Sequence, residues 1–591
     1  MHIYNRCIFI VLIFAACAGK EDKVTEMKKP FNDFLDAYYE ERLGLYPMEA
    51  TQIGDKRYNN LLPNDISESF RSDLKTFYSR YQSELSTYQR DSLSAQEKVS
   101  YDIFKREMGV NLKALTFKDN YIPVQQFWGM TLTMPQIASG KSYQPFKTIK
   151  DYRDFLSRID GFVVWVDTAI VNMRKGLAVG YTYPRILMER VLPQAQDMMV
   201  SDVKKSIFWE PITNMPDSIK GSDREQLAKA YADAIEQKVI PTYKKLHDFL
   251  REEYIPKTRT TAGFYEIPGG REHYQHLINF WTTTNLSPEE IFKTGQSEVA
   301  RIRHEMEKIK DQVGFKGNLK AFFEYVNTDK KFMPYKTPEE VIAGFNAIHE
   351  KMGPQLKRFF NMVPKTRFEV RQTEAFRAAS SSAEYNPGTP DGSRPGIFYV
   401  PILEANSFNY TGMETLFLHE AIPGHHYQIA LQYENEELPK FRRFLWYGAY
   451  GEGWALYTES LGKELGLYTD PYQYFGNLGD EMHRAIRLVV DVGIHAKGWT
   501  REQAIKYMLD NEAISEQAAT AEIERYMAIP AQALSYKIGQ LKILELRKKA
   551  SDALGDQFNL PLFHDEILKY GCLPLDVLES IIDEWIKKQK A

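Results

Sequence analysis

LFLHEAIPGHHYQ, running from Leu416 to Gln428, puts His-Glu at positions 419–420 and two further histidines at 425 and 426. It lies close to HExxH, in which two histidines one helical turn apart hold zinc and the glutamate between them handles a proton. That signature needs a histidine at 423, and the chain has Pro423 there. In a straight helix, position +6 points about 120° away from His419. Position +7 is only about 20° off, but about 10 Å along the axis. Neither can share an ion with His419 unless the helix is interrupted. Pro423 lacks a backbone donor and clashes with the carbonyl four residues back, that of His419, and Gly424 tolerates unusual dihedrals. The pair predicts a bulge or loop at 422–424. A two-residue insertion brings His425 to the place of the second ligand, with His426 as the alternative.

Outward from this stretch, Thr411 followed by Glu414 fits a capping box and predicts a helix starting at 411–412. Upstream, ASSSAEYNPGTPDGSRPGIFYVPIL (379–403) is a Ser-, Pro- and Gly-rich loop leading into an apolar run, GIFYVPIL, which predicts a strand. The segment 24–300 has helical periodicity throughout. DYRDFLSRIDGFVVWVDTAIVNMRKGLAVG should stop at Gly180, and a helix should start at Ser287-Pro288. His304 within that helix is expected on the surface, beside Glu305 and Glu307. The fold class expected is mainly α, with a small sheet before the motif. Downstream, YGAYGEGWALYTESLG offers Glu452 and Glu459 on one helical face. Glu452, between two glycines, is the candidate third ligand, and Glu459 the candidate partner that orients a ligating histidine.

The 591 residues are 43% hydrophobic and 26% charged with a net charge of −4. That balance suits a folded globular chain and carries no signature of nucleic-acid binding. The N-terminus, MHIYNR then CIFIVLIFAAC, is too short for a membrane span and predicts a signal peptide over 1–17. Phe14-Ala15-Ala16-Cys17 resembles a bacterial lipoprotein box. Lipid on Cys17 would anchor the protein in the cell envelope. AGKEDK, just after it, resembles a tag that sends lipoproteins to the outer face of the outer membrane. Cys7 leaves with the leader and Cys17 carries lipid, so only Cys572 remains and a metal site must use histidine and carboxylate.

HEAIPGHHYQ, GEGWALYTE, RLVVDVGIHAKGWT and RYMAIPAQALSYKIGQLKILELR together resemble the domain-of-unknown-function 885 family of bacterial proteins, over most of the chain after Cys17. The resemblance implies a zincin-like fold, with a small sheet inside a large helical shell similar to angiotensin-converting enzyme and thimet oligopeptidase. It implies an N-terminal helical region over 18–260 and a zincin-like catalytic region over 261–591. It also implies zinc held by His419, His425 and Glu452, with Glu420 as the general base of a metallopeptidase acting on peptides. His495, Tyr526 and Tyr536 lie in segments that resemble the family's motifs and are the candidate donors to an oxyanion, with Tyr457 behind them. Arg484, Arg487 and Arg525 could hold a peptide carboxylate, or pair with Asp491 and Glu481. His483 is expected to cap or pack. The strand Gly396–Pro401 could add an extended peptide at its edge, or could equally be an interior strand. The alternatives are a zinc amidase or esterase with the same ligands, and an inactive surface-binding lipoprotein with a degenerate motif.

Overall fold

The computed structural model describes residues 30–374, 382–389 and 394–590. The expected leader and Cys17 lie outside the described residues. Helices dominate, as the periodicity predicts. Ile149–Val179 opens on a capping box between Thr148 and Asp151 and closes on Gly180, whose φ is 71°. Pro288–Gln312 opens on a capping box between Ser287 and Glu290, and His304 lies on its exposed face. No helix among the described residues is long and apolar enough to cross a membrane.

Three strands make one small sheet in the order β1 (Phe368–Gln372), β3 (Gly396–Val400), β2 (Glu384–Asn386). β3 runs parallel to β1, with Phe368 opposite Gly396, and antiparallel to β2, with Glu384 opposite Tyr399. The strand foreseen at GIFYV therefore exists, but it is the central one. Both its edges are already hydrogen-bonded, so of the two readings open for this strand the interior one holds and it cannot add a substrate strand. Its all-apolar sequence fits this position: Ile397, Phe398 and Val400 are buried, as expected of a strand covered on both faces.

Six helices carry the candidate site: α1 (Met413–Glu420), α2 (His425–Glu434), α3 (Gly448–Ser460), α4 (Pro471–Lys497), α5 (Glu516–Ala528) and α6 (Ser535–Leu554). The start of α1 differs slightly from expectation. A 3-10 turn over Tyr410–Gly412 precedes it, capped by Asn409, whose side chain accepts from the Thr411 amide. Thr411 does not cap, and Glu414 instead accepts from the Tyr468 amide at 2.6 Å and pairs with Lys351. α3 and α6 cross with their backbones nearly touching. A Cβ on Gly539 would stand 1.8 Å from the Ala449 carbonyl oxygen, so only glycine permits the crossing that fixes Glu452 against α6. The N-terminal helices pack against the same region: Tyr447 donates to Glu107 at 2.7 Å, and Phe104 meets Phe441 edge-on.

Candidate metal centre

α1 stops at Glu420, and α2 starts at His425. Between them the chain turns through Ala421, Ile422, Pro423 and Gly424, so the interruption read from Pro423-Gly424 is a complete break between two helices. Gly424 is needed because a Cβ there would sit 2.0 Å from the His419 carbonyl oxygen. The turn is pinned from α3: Trp454 Nε1 donates to the Pro423 carbonyl at 2.8 Å, and Thr458 Oγ1 donates to that of Leu418 at 2.9 Å.

This break brings His425 back beside His419. The ring centroids are 4.8 Å apart and nearly perpendicular. Nε2 of His419 and Nε2 of His425 lie 3.6 Å and 3.5 Å from the same Glu452 oxygen. One donor atom from each of His419, His425 and Glu452 lies within 4.8 Å of the others. Two ligands at a tetrahedral angle, each 2.0–2.1 Å from an ion, are about 3.3–3.4 Å apart. The donor set and its spacing therefore suit a divalent ion such as zinc with little adjustment. His426 faces the other way. Its Nδ1 shares a hydrogen bond with the Tyr385 hydroxyl at 2.9 Å and its ring packs on Phe368. Burial lowers its proton affinity to about 4, so it serves the sheet side of α2.

The surroundings of the triad are charged and largely buried. His419 Nδ1 bonds to Glu459 Oε1 at 2.7 Å, which leaves Nε2 for the triad. Burial lowers the proton affinity of His419, but hydrogen bonds with Glu452 and Glu459 outweigh it and hold the ring above the usual histidine range. Glu452 moves the opposite way: burial raises it, and the two histidines pull it well below the usual carboxylate range. Burial pushes the Glu420 carboxyl up against the pull of His419 and His425. A carboxylate shifted toward neutrality beside a candidate ion suits a group that takes and returns a proton.

The three candidate oxyanion donors separate. Tyr536, on α6, is the one tied to the triad: Glu452 is the group that most strongly raises its phenol, ahead of burial. His495 is not available, and that expectation is corrected. Its Nδ1 accepts from the Phe264 amide at 3.2 Å, and its Nε2 donates to the Tyr526 carbonyl at 3.0 Å. With both nitrogens bonded to backbone and burial lowering it to about 3, His495 is a neutral structural brace. Tyr526 is also corrected: its hydroxyl donates to Glu522 and accepts from Arg487 Nε at 2.9 Å. Tyr457 is paired with His564 at 2.7 Å.

The arginines do not pair as expected. Asp491 accepts from Tyr274 and the Ala531 amide, and Glu481 pairs with Lys537 and Arg301. Arg484 bonds to Asp480, and Arg487 to Glu522 and His483. Arg525 spends Nε and Nη2 on Glu522 and Nη1 on Gln532. It therefore positions Glu522, in line with the alternative that it pairs within the protein, though with Glu522 and Gln532 as the partners. His483 bonds to Glu512 at 2.8 Å, a packing role as anticipated. The sequence reading missed Glu522, although its spacing from Arg525 and Tyr526 on one helix was a usable signal. It also missed Trp446, whose ring lies 5.9 Å from that of His425 and borders a cavity of about 770 Å³ lined by Tyr38, Phe104, Tyr433 and Phe441. Nothing in the sequence around Trp446 marks it.

The fold and site thus define a mainly helical protein with a small sheet and a buried His-His-Glu cluster able to hold a metal ion. The chain belongs to the DUF885 family, described as bacterial protein of unknown function, which matches residues 47–582. It is similar over 94% of its length to the crystal structure of a candidate lipoprotein from Colwellia psychrerythraea, 99% of which is covered, at 28% identity and a TM-score of 0.84. A candidate lipoprotein of unknown function from Shewanella oneidensis shares the fold at 20% identity and a TM-score of 0.74, over 93% of this chain and 99% of that one. No curated protein matches the chain.

Proposed function

We propose that this protein is a zinc metallopeptidase of zincin-like type that hydrolyses short peptides, tethered to the bacterial cell envelope by lipid on Cys17. The observation that carries the proposal is the convergence of His419, His425 and Glu452, with Glu420 one residue from a ligand and Glu459 behind it. A tether agrees with the description of the two similar structures as candidate lipoproteins. His419, His425 and Glu452 would hold the ion, which would supply Lewis acidity toward a carbonyl oxygen and a water. Glu420 accepts the proton of the attacking water and delivers it to the leaving amine. Tyr536 donates a hydrogen bond to the oxygen on which charge develops. Glu459 keeps His419 in the tautomer that presents Nε2. Trp446 and the buried walls limit water around the reacting groups.

The test is Glu420→Gln in purified residues 18–591. The expected result is about one zinc per chain in both proteins, with peptide hydrolysis lowered by about 10²–10⁴-fold in the variant. Unchanged hydrolysis would remove Glu420 from the chemistry. Failure of the wild type to bind zinc would turn the reading toward an inactive binding lipoprotein.

A further inference from the structure

We propose that Arg484 and Arg487 clamp the free C-terminal carboxylate of the substrate, so that the protein is an exopeptidase trimming peptides from their C-terminal end. This rests on the peptidase reading above. The two arginines are three residues apart on α4 and so share a face. Arg487 is nine-tenths buried, with a side-chain exposure of 9%. Its Nε donates to the Tyr526 hydroxyl at 2.9 Å, and its Nη2 donates to His483 at 3.0 Å and to Glu522 at 3.3 Å. Its Nη1 has no partner. Arg484 donates through Nη1 to the carbonyl and carboxylate of Asp480, and its Nε is likewise without a partner. Glu522 is shared by Arg487, Arg525 and Tyr526, so one carboxylate serves several donors and leaves guanidinium edges unused.

A buried guanidinium N–H without an acceptor is costly, and a carboxylate is the acceptor whose geometry matches it. These edges also lie beside the reacting groups. The guanidinium carbon of Arg487 is 4.7 Å from the centre of the Tyr536 ring, the ring whose phenol answers to Glu452. The clamp therefore lies against the ring of Tyr536, the proposed oxyanion donor. Hydrolysis adds one water across the C–N bond. The acyl carbon takes the hydroxyl, the leaving amine takes the proton, and the products are a shortened peptide and the fragment released from its C-terminal end.

The test uses zinc-loaded Glu420→Gln protein, which should bind without turnover, titrated calorimetrically with one N-acetylated tripeptide as the free acid and as the C-terminal amide. The free acid should bind about 10- to 100-fold more tightly. Adding Arg487→Met should abolish that preference, and Arg487→Lys should keep only part of it. Should Arg487→Met fail to fold, Arg484→Gln in the same titration should narrow the preference. Equal affinity for acid and amide, or no binding of either, would overturn the clamp. So would wild-type turnover of the amide as fast as of the acid. Turnover of neither peptide alongside an acid preference in binding would instead overturn the peptidase reading and leave the clamp standing.

Discussion

His419 Nδ1 and Glu459 Oε1 lie 2.7 Å apart in the buried interior between α1 and α3. The bond fixes which nitrogen of His419 looks into the triad, because a ring that donates through Nδ1 keeps its Nε2 lone pair for an ion. Partners of this kind raise ligand basicity, and their loss costs about 10–100-fold in metal affinity. Glu459→Gln should therefore bind zinc about 10–100-fold more weakly, in competition with a chromophoric chelator, while its circular dichroism stays that of the wild type. An unchanged affinity would reduce Glu459 to packing.

The opposed orientations of neighbouring histidines yield a sharper contrast. His425→Ala removes a donor 3.5 Å from Glu452 and should abolish stoichiometric zinc. His426→Ala removes a ring bonded to Tyr385, so it should keep zinc and lower the melting temperature. Zinc lost only from the His426 variant would reverse the assignment of the two side chains.

These histidines also show how far the sequence could be read. Pro423 and Gly424 announced a break, because proline cannot donate and glycine can turn, and the break brings His425 rather than His426 to His419. Ser287 and Gly180 marked helix ends for the same kind of local reason. What local rules could not supply was orientation across elements. His495, Tyr526 and Tyr536 looked equivalent in sequence. Their difference arises from long-range neighbours, namely the Phe264 amide on one side of His495, Glu522 on Tyr526 and Glu452 near Tyr536. β3 could be read as either an edge or an interior strand because the pairing of both its sides with strands 28 residues upstream and about a dozen upstream has no local signature.

Tyr536 and Tyr526 should therefore part company in kinetics. Tyr536→Phe removes one donor to the developing oxyanion and should lower kcat by about 10²–10³-fold with zinc retained. Tyr526→Phe leaves Arg487 and Glu522 without their shared hydroxyl and should act mainly on KM and stability. A steady-state comparison on one peptide decides it. Equal kcat losses in the two variants would show that Tyr536 is not the donor.

Asp491 sets a pH dependence of folding that is separate from the candidate metal ligands. It is fully buried, accepting from the Tyr274 hydroxyl at 2.6 Å and from the amide of Ala531 at 3.1 Å. Ala531 has φ 69°, so the carboxyl helps to hold a left-handed turn five residues before Tyr536. Burial pushes Asp491 up to about 7, against the hydrogen bonds from Tyr274 and Ala531. The folded chain thus keeps a proton that the unfolded chain releases near the ordinary aspartate value. Between that value and about 7 the folded state binds more protons, so this group's contribution to stability is full at low pH and falls as pH rises through the window. Above about 7 both states are ionised, and the penalty stays constant. Asp491→Asn keeps an acceptor for Tyr274 and removes the titration. Urea midpoints at pH 5 and pH 8 should therefore show the wild type losing stability relative to Asp491→Asn at the higher pH, by on the order of a few kcal/mol. A constant difference between the two proteins across that range would mean that Asp491 is ionised in the folded state throughout it.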